Sequence, residues 1–332
     1  MKQLFIIMFS IVFLSTFVMA QNTANVTQNG PSNLAKVEQT GSNTATISQT
    51  AQTDGNEAYL KQVGAGSEAT LTQDGENNKI DAGDDGYYNN GQYGDNHTLM
   101  IVQDGDENYT YYNSGASSHD NVADVTQDGY DDNAQIHQWG SNSTVNIHQS
   151  GITGVYSYNG DNNTVSVTQY GSTQSATVTQ TGQNHTASVY QQNSGNVATI
   201  TQKGDNFDGS NERYSDSWPG APFNNHAVTK QYQNDNQLEI DQDGTVNNAF
   251  VTQDGNSNDV TLLKQVGEDN WTDIDILGDT NIGSTSSIGN HNTIDIDITG
   301  NANNFTITQT NDSHTATLIQ NGDGNTAIIT QN

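Results

Sequence analysis

Apolar and polar residues alternate in short runs through almost the whole chain, and each run ends in glutamine followed by a turn. Ala176-Thr-Val178-Thr-Gln180, Ala198-Thr-Ile200-Thr-Gln202 and Phe305-Thr-Ile307-Thr-Gln309 show the pattern. A period of two places Ala, the branched residue and Gln on one face of a strand and Thr on the other. β-branched residues at these positions suit a pleated surface. Gln-Asp-Gly at 73, 103, 127, 242 and 253 predicts a tight turn directly after the strand, since Gly takes positive φ freely and Asp bonds turn backbone. Asn78, Asn108, Asn236, Asn258, Asn270, Asn281 and Asn292, each five residues past the strand end, open the next strand.

The strand-ending glutamines form one frame: Gln28, Gln39, Gln49, Gln62, Gln73, Gln103, Gln127, Gln138, Gln149, Gln169, Gln180, Gln191, Gln202, Gln231, Gln242, Gln253, Gln265, Gln309, Gln320 and Gln331. The usual step is eleven residues, as from Gln169 to Gln180, Gln191 and Gln202. Carried through the gaps, the frame assigns Asp84, Gln92, Ser114, Tyr158, Arg213, Ile276, Ser287 and Ile298 to the same position, giving about twenty-eight half-repeats. Such a period predicts a repeat architecture. Eleven residues make a strand of about seven, roughly 23 Å long, and a turn. One hairpin cannot bury its apolar face alone; stacked neighbours can. The expected fold is all-β, a two-sheet parallel β-solenoid of about fourteen 22-residue turns, near 67 Å tall at about 4.8 Å per turn. Its interior would be thin. The Gln and the strand-opening Asn are therefore placed inward as amide ladders, as in cross-β stacks; the alternative is Gln facing water at the strand end. Pro31, Pro219 and Pro222 fall between strands, where they break no ladder. A loop insertion is expected near 207–225, and neither a linker nor a second domain.

Residues 1–20 differ. Lys2, an apolar run from Leu4 to Val18 and the small-residue end Val18-Met19-Ala20 predict a signal peptide, with the mature chain starting near Gln21. Beyond it the chain is poor in large apolar residues, and the full sequence has a formal charge of −30. That composition alone would read as disorder; the fixed phase of the apolar residues argues otherwise. Acidity excludes phosphate-led nucleic-acid binding and polybasic lipid contact, and no second segment is apolar enough to insert in a membrane. Without cysteine, no disulfide can staple the exported chain.

The pattern Gln-x-Gly-x-x-Asn-x-Ala-x-Val-x-Gln, as from Gln28 to Gln39, Gln191 to Gln202 and Gln320 to Gln331, resembles the curlin repeats of curli amyloid fibre subunits. The resemblance covers nearly all of residues 22–332. It implies a secreted subunit that polymerises with copies of itself into extracellular fibres of a Gram-negative biofilm matrix. It also implies a nucleating partner and an outer-membrane export pore. Three features depart from the family pattern. Asn22 opens the first repeat where curli subunits usually carry a Gly- and Asn-rich export segment. The turns are more numerous than in short family members. Several anchors are replaced.

The outermost strands, with Asn22, Ala24, Val26 and Gln28 at one end and Asn325, Ala327, Ile329 and Gln331 at the other, carry no charge or proline and are read as templating edges. Frayed termini are the plain alternative. Acidic turn residues read as gatekeepers against lateral aggregation or as a soluble surface. Asp273, Asp275, Asp295 and Asp297 should stack across one turn, either bridged by Ca²⁺ or as screened acidic pairs. His137 and His148 should lie on opposite sheets. No catalytic constellation, cofactor site or metal site stands out, and no enzyme activity is expected. The rival reading is an ice-binding solenoid using outward Thr70/Thr72, Thr177/Thr179, Thr199/Thr201 and Thr306/Thr308. Irregular outward pairs such as Lys36/Glu38, Tyr59/Lys61, Gln135/His137, Glu239/Asp241 and Phe250/Thr252 count against it. A Ca²⁺ β-roll lacks its glycine-aspartate nonapeptide.

Overall fold

Each half-repeat is an extended strand because its apolar residues recur at a spacing of two and its turn residues take conformations that extended chain cannot. The computed structural model describes residues 21–83, 91–150, 162–204 and 225–332, and every regular element among them is a strand. All strand pairings are parallel and join each strand to the one a full turn later. In the first sheet the rungs ending at Gln28, Gln49, Gln73, Gln103, Gln127, Gln149, Gln180, Gln202, Gln242, Gln265, Ser287, Gln309 and Gln331 stand over one another. In the second the series is Gln39, Gln62, Gln92, Ser114, Gln138, Gln169, Gln191, Gln231, Gln253, Ile276, Ile298 and Gln320. Near the N-terminal end Leu34–Thr50 and Glu57–Asp74 run unbroken from one sheet into the other. The fold is a parallel β-solenoid of about twelve turns.

Three of the expected half-repeats have no rung among the described residues. Asp84, Tyr158 and Arg213 lie outside the described residues, as do the signal segment and nearly all of the 207–225 insertion. The rungs on either side pair directly across them. Gln73 meets Gln103 thirty residues on, Gln149 meets Gln180 thirty-one on, and Gln202 meets Gln242 forty on, where neighbouring turns take 22. The segment Lys79–Ala82 and the pair Gln92–Tyr93 together fill one rung over Glu57–Asp74. The eleven-residue frame, with anchors at both Asp84 and Gln92, counts two rungs here. Asn225, at the end of the expected insertion, is fully buried at a strand start.

The corners carry two left-handed residues. The first is usually Gly: at Gly278 (φ +132°) a Cβ would lie 2.1 Å from the Gly300 carbonyl of the next turn, so no side chain fits. The second immediately precedes the strand-opening residue and is rarely Gly. Ser32, Val246, Thr280, His291 and Ala302 hold φ of 60°, 58°, 58°, 56° and 57° there. Such values are unusual for β-branched residues, and the bonds to the turns above and below impose them.

Inside, one Ala and one larger apolar residue per strand make a narrow core, with Ala176, Val178, Ala198 and Ile200 all buried. The layers compensate for one another. Phe305 takes an Ala position and is fully buried because Gly283, its in-register neighbour, leaves room; a Cβ on Gly283 would fall 1.9 Å from the ring.

Candidate functional site

The inward polar positions form two ladders. In the first sheet each Gln side chain donates from Nε2 to Oε1 of the Gln one turn on, without a break from Gln28 to Gln265, at 2.8–3.0 Å. The same amide reaches across the core: Gln49 Nε2 also points at the carbonyls of Leu34 and Asn56, both 3.0 Å away. The second sheet carries the ladder from Gln39 to Gln92 and from Gln138 to Gln253. Away from the ends these glutamines are buried; at the termini of the stack Gln28 is exposed and Gln39 and Gln331 are half-buried.

Asparagine serves the corners. Asn56 accepts the Asn78 backbone N–H on Oδ1 (2.9 Å) and donates Nδ2 to the Gly75 carbonyl (3.0 Å). The arrangement recurs at Asn236, Asn258 and Asn281. Histidine imitates it at two strand starts that the sequence reading passed over. The His97 Nε2 lies 2.8 Å from the Tyr93 carbonyl and its Nδ1 accepts the Asn121 N–H (3.3 Å). His185 places the same two nitrogens against Thr181 O and Asn225 N. One donor and one acceptor are what a neutral imidazole offers. Burial holds His97 below the usual histidine range. The signal was available, since both residues sit five after an anchor.

Where anchors change, the ladder is repaired or stops. Ser114 is too short to reach Gln138, and buried Tyr112 supplies the donor instead, its hydroxyl 3.2 Å from Gln138 Oε1. Burial raises this phenol well above its ordinary range. Ser287 bonds Gln309 Oε1 (3.2 Å). Ile276 and Ile298 put an apolar step into the second sheet, and Gln320 Oε1 above them has no partner.

The two ends differ from the interior. The N-terminal strand Thr23–Asn29 is exposed along its whole length, with Val26 at 47 % where interior counterparts are near zero. At the other end Ala327, Ile329 and Gln331 are half-buried. Gly324 has no atom within 4 Å of a Cβ position, whereas interior corner glycines touch the next turn. Asn22 Oδ1 already accepts the Asn43 N–H (3.0 Å), and the Asn325 N–H bonds Asn303 Oδ1 (2.8 Å).

The outer faces are unlike each other. All four Thr-x-Thr pairs lie on the first sheet, but the rows are interrupted. Thr70 stacks on Met100, and Thr199 on Glu239. Of the irregular outward pairs, only Glu239/Asp241 belongs to that sheet; Lys36/Glu38, Tyr59/Lys61, Gln135/His137 and Phe250/Thr252 lie on the second. The second sheet carries a ring ladder, Tyr111, His137, Trp139, Tyr170, Tyr190 and Tyr232, with successive centroids 5.0–6.1 Å apart. His148 is on the opposite sheet from His137. Further along, Asp273 stacks on Asp295 and Asp275 on Asp297. Burial first, then these neighbours, raise the Asp273 pKa. Among the described residues no group of three or more His, Asp or Glu side chains is placed to hold a metal.

A column of in-register parallel rungs with amide ladders inside is a cross-β solenoid. The chain is a curlin-repeat protein: the curlin associated repeat matches residues 21–50, 42–75, 160–192, 234–262 and 300–332. No curated protein matches it.

Proposed function

We propose that this chain is the self-assembling subunit of an extracellular curli-like amyloid fibre, growing by strand addition at the ends of the column. The observation that carries the reading is the in-register column of curlin repeats, whose inward Gln side chains bond from one turn to the next. The outermost described rungs keep the inward Ala, branched residue and Gln of the repeat, and among the described residues no rung covers them. The strands Thr23–Asn29 and Thr326–Gln331 lack charge and proline, the usual devices that stop edge-to-edge growth. Ladder polarity makes the ends complementary: Gln331 Nε2 donates one N–H to Thr315 O, and its second N–H would be accepted by Gln28 or Gln39 Oε1 of another copy.

In this reading the fibre is structural, a biofilm-matrix and adhesion element rather than an enzyme. Its chain is exported with loss of residues 1–20, and it works with a nucleator and an outer-membrane pore of the kind its family implies. An ice-binding surface is disfavoured by Met100, Asp124 and Glu239 within the threonine rows. The test is incubation of purified residues 21–332, followed by Thioflavin T fluorescence, electron microscopy and fibre diffraction. Fibres with reflections near 4.7 and 10 Å are expected. A sample that stays soluble and gives neither reflection would sink the proposal.

A further inference from the structure

We propose that Tyr170, Tyr190 and Tyr232 form an oxidative cross-linking site, where a haem peroxidase using hydrogen peroxide joins consecutive turns through carbon–carbon bonds between phenol rings. The proposal concerns the single column and does not depend on its assembly. It comes from where the repeat places these rings. Tyr190 is the outward residue just before Gln191, while Tyr170 and Tyr232 are the outward residues just after Gln169 and Gln231. In register, Tyr170 stands beside Gln192, and Tyr190 beside Thr168 and Lys230. The three tyrosines therefore alternate between two adjacent rows on consecutive rungs, and each must lean toward the next to touch it. The Tyr170 and Tyr190 ring centroids are 5.8 Å apart and those of Tyr190 and Tyr232 5.6 Å, both pairs tilted by 53°.

Ring packing does not itself demand a phenol. Further along the same sheet His226, Phe250 and Trp271 meet ring to ring without one. The three tyrosines each keep part of their surface in solvent, so an oxidant reaches them from outside. Burial first, then the charges of Tyr170 and Tyr232, raise the Tyr190 pKa. Tyr190 thus enters the reaction as a neutral phenol between two others.

The peroxidase takes one electron and one proton from each of two neighbouring phenols. The unpaired spin spreads to the ring carbons next to the hydroxyl, and two such carbons form the bond. Each then sheds its hydrogen as a proton while the oxygen regains one, restoring both phenols. One peroxide accepts the two electrons and two protons lost overall and leaves as two waters. Tyr190 has two such carbons and can bond on both sides. The link has a structural use in a chain with no cysteine. Gln191 and Gln231 are stacked neighbours 40 residues apart, whereas the rungs on either side step by 22. A Tyr190–Tyr232 bond closes this long excursion covalently, and a cross-link across a long loop restricts the unfolded chain most.

The test is treatment of the purified, dilute chain with a haem peroxidase and hydrogen peroxide, followed by digestion and mass mapping. An equal mixture of isotope-labelled and unlabelled chain separates links within a copy from links between copies. Peptides joining Tyr170 to Tyr190 and Tyr190 to Tyr232 within one copy are expected, each lighter by two hydrogens than its parts, with a raised urea midpoint. Tyr170→Phe should lose the first link and keep the second, Tyr232→Phe the reverse, and Tyr190→Phe should lose both. A wild-type map in which neither pair is joined, or in which they are joined only between copies, overturns the proposal whatever the variants do. So does a Tyr190→Phe chain whose yield of links within a copy equals that of the wild type.

Discussion

At the residue scale, the stack depends on side chains that replace backbone partners. Gln180 takes the Gln149 amide, gives its own to Gln202, and points at the Thr164 carbonyl. Substitution Gln180→Leu leaves these buried groups unmatched, and should lower the urea unfolding midpoint by an amount worth about 1–3 kcal/mol. The Gly283→Ala variant forces a methyl into the Phe305 ring and should cost about 1–3 kcal/mol by overpacking; thermal unfolding reads it. The inward amides were legible because an interior ladder needs one residue type at one phase, and Gln recurs there. The second left-handed corner position was not. Its φ is imposed by bonds to adjacent turns, so Ser32, Val246, Thr280 and Ala302 all serve and leave no compositional trace. Val246→Asn keeps the conformation with a residue that tolerates it. The variant should gain roughly 0.5–1 kcal/mol over the wild type in the same urea assay.

At the scale of the strand, what matters is whether a rung has two neighbours or one. Val26 and Ile329 face the interior of their rungs but are open in the isolated column. Val26→Asp should therefore leave the melting of the single chain nearly unchanged, while seeded elongation falls at least tenfold, since a docked copy would bury an unpaired carboxylate. Equal elongation rates for variant and wild type would count against end-on templating. Rung boundaries were less legible than rung identity. The eleven-residue spacing admits Asp84 and Tyr158 because the added stretches are close to one half-repeat in length, and periodicity cannot distinguish an added rung from an added connection of that size. Only the direct pairing of Gln62 with Gln92 and of Gln149 with Gln180 separates them.

Across the whole molecule, charge sets opposing responses to pH. His97 is held neutral by burial, so the unfolded chain takes up a proton first as pH falls through its ordinary value of 6.5. Stability is lost from there down to the lowered folded value. Asp273 behaves oppositely. Its raised folded pKa means that the folded column binds the proton more readily, and stability is gained as pH falls from that value toward 3.8. Urea midpoints at several pH values should show a smaller loss below 6.5 for His97→Asn than for the wild type. They should also show a smaller gain on further acidification for Asp273→Asn. The direction of the side-chain ladder has a last consequence. In the first sheet every ladder Gln from Gln28 to Gln242 points an amide N–H toward the C-terminal end of the column. Their dipoles add along the axis as peptide dipoles do in a helix, making the C-terminal end the positive pole. A fibre of such columns has electrical direction: its tips are different chemical surfaces, and in an applied field it orients one way round.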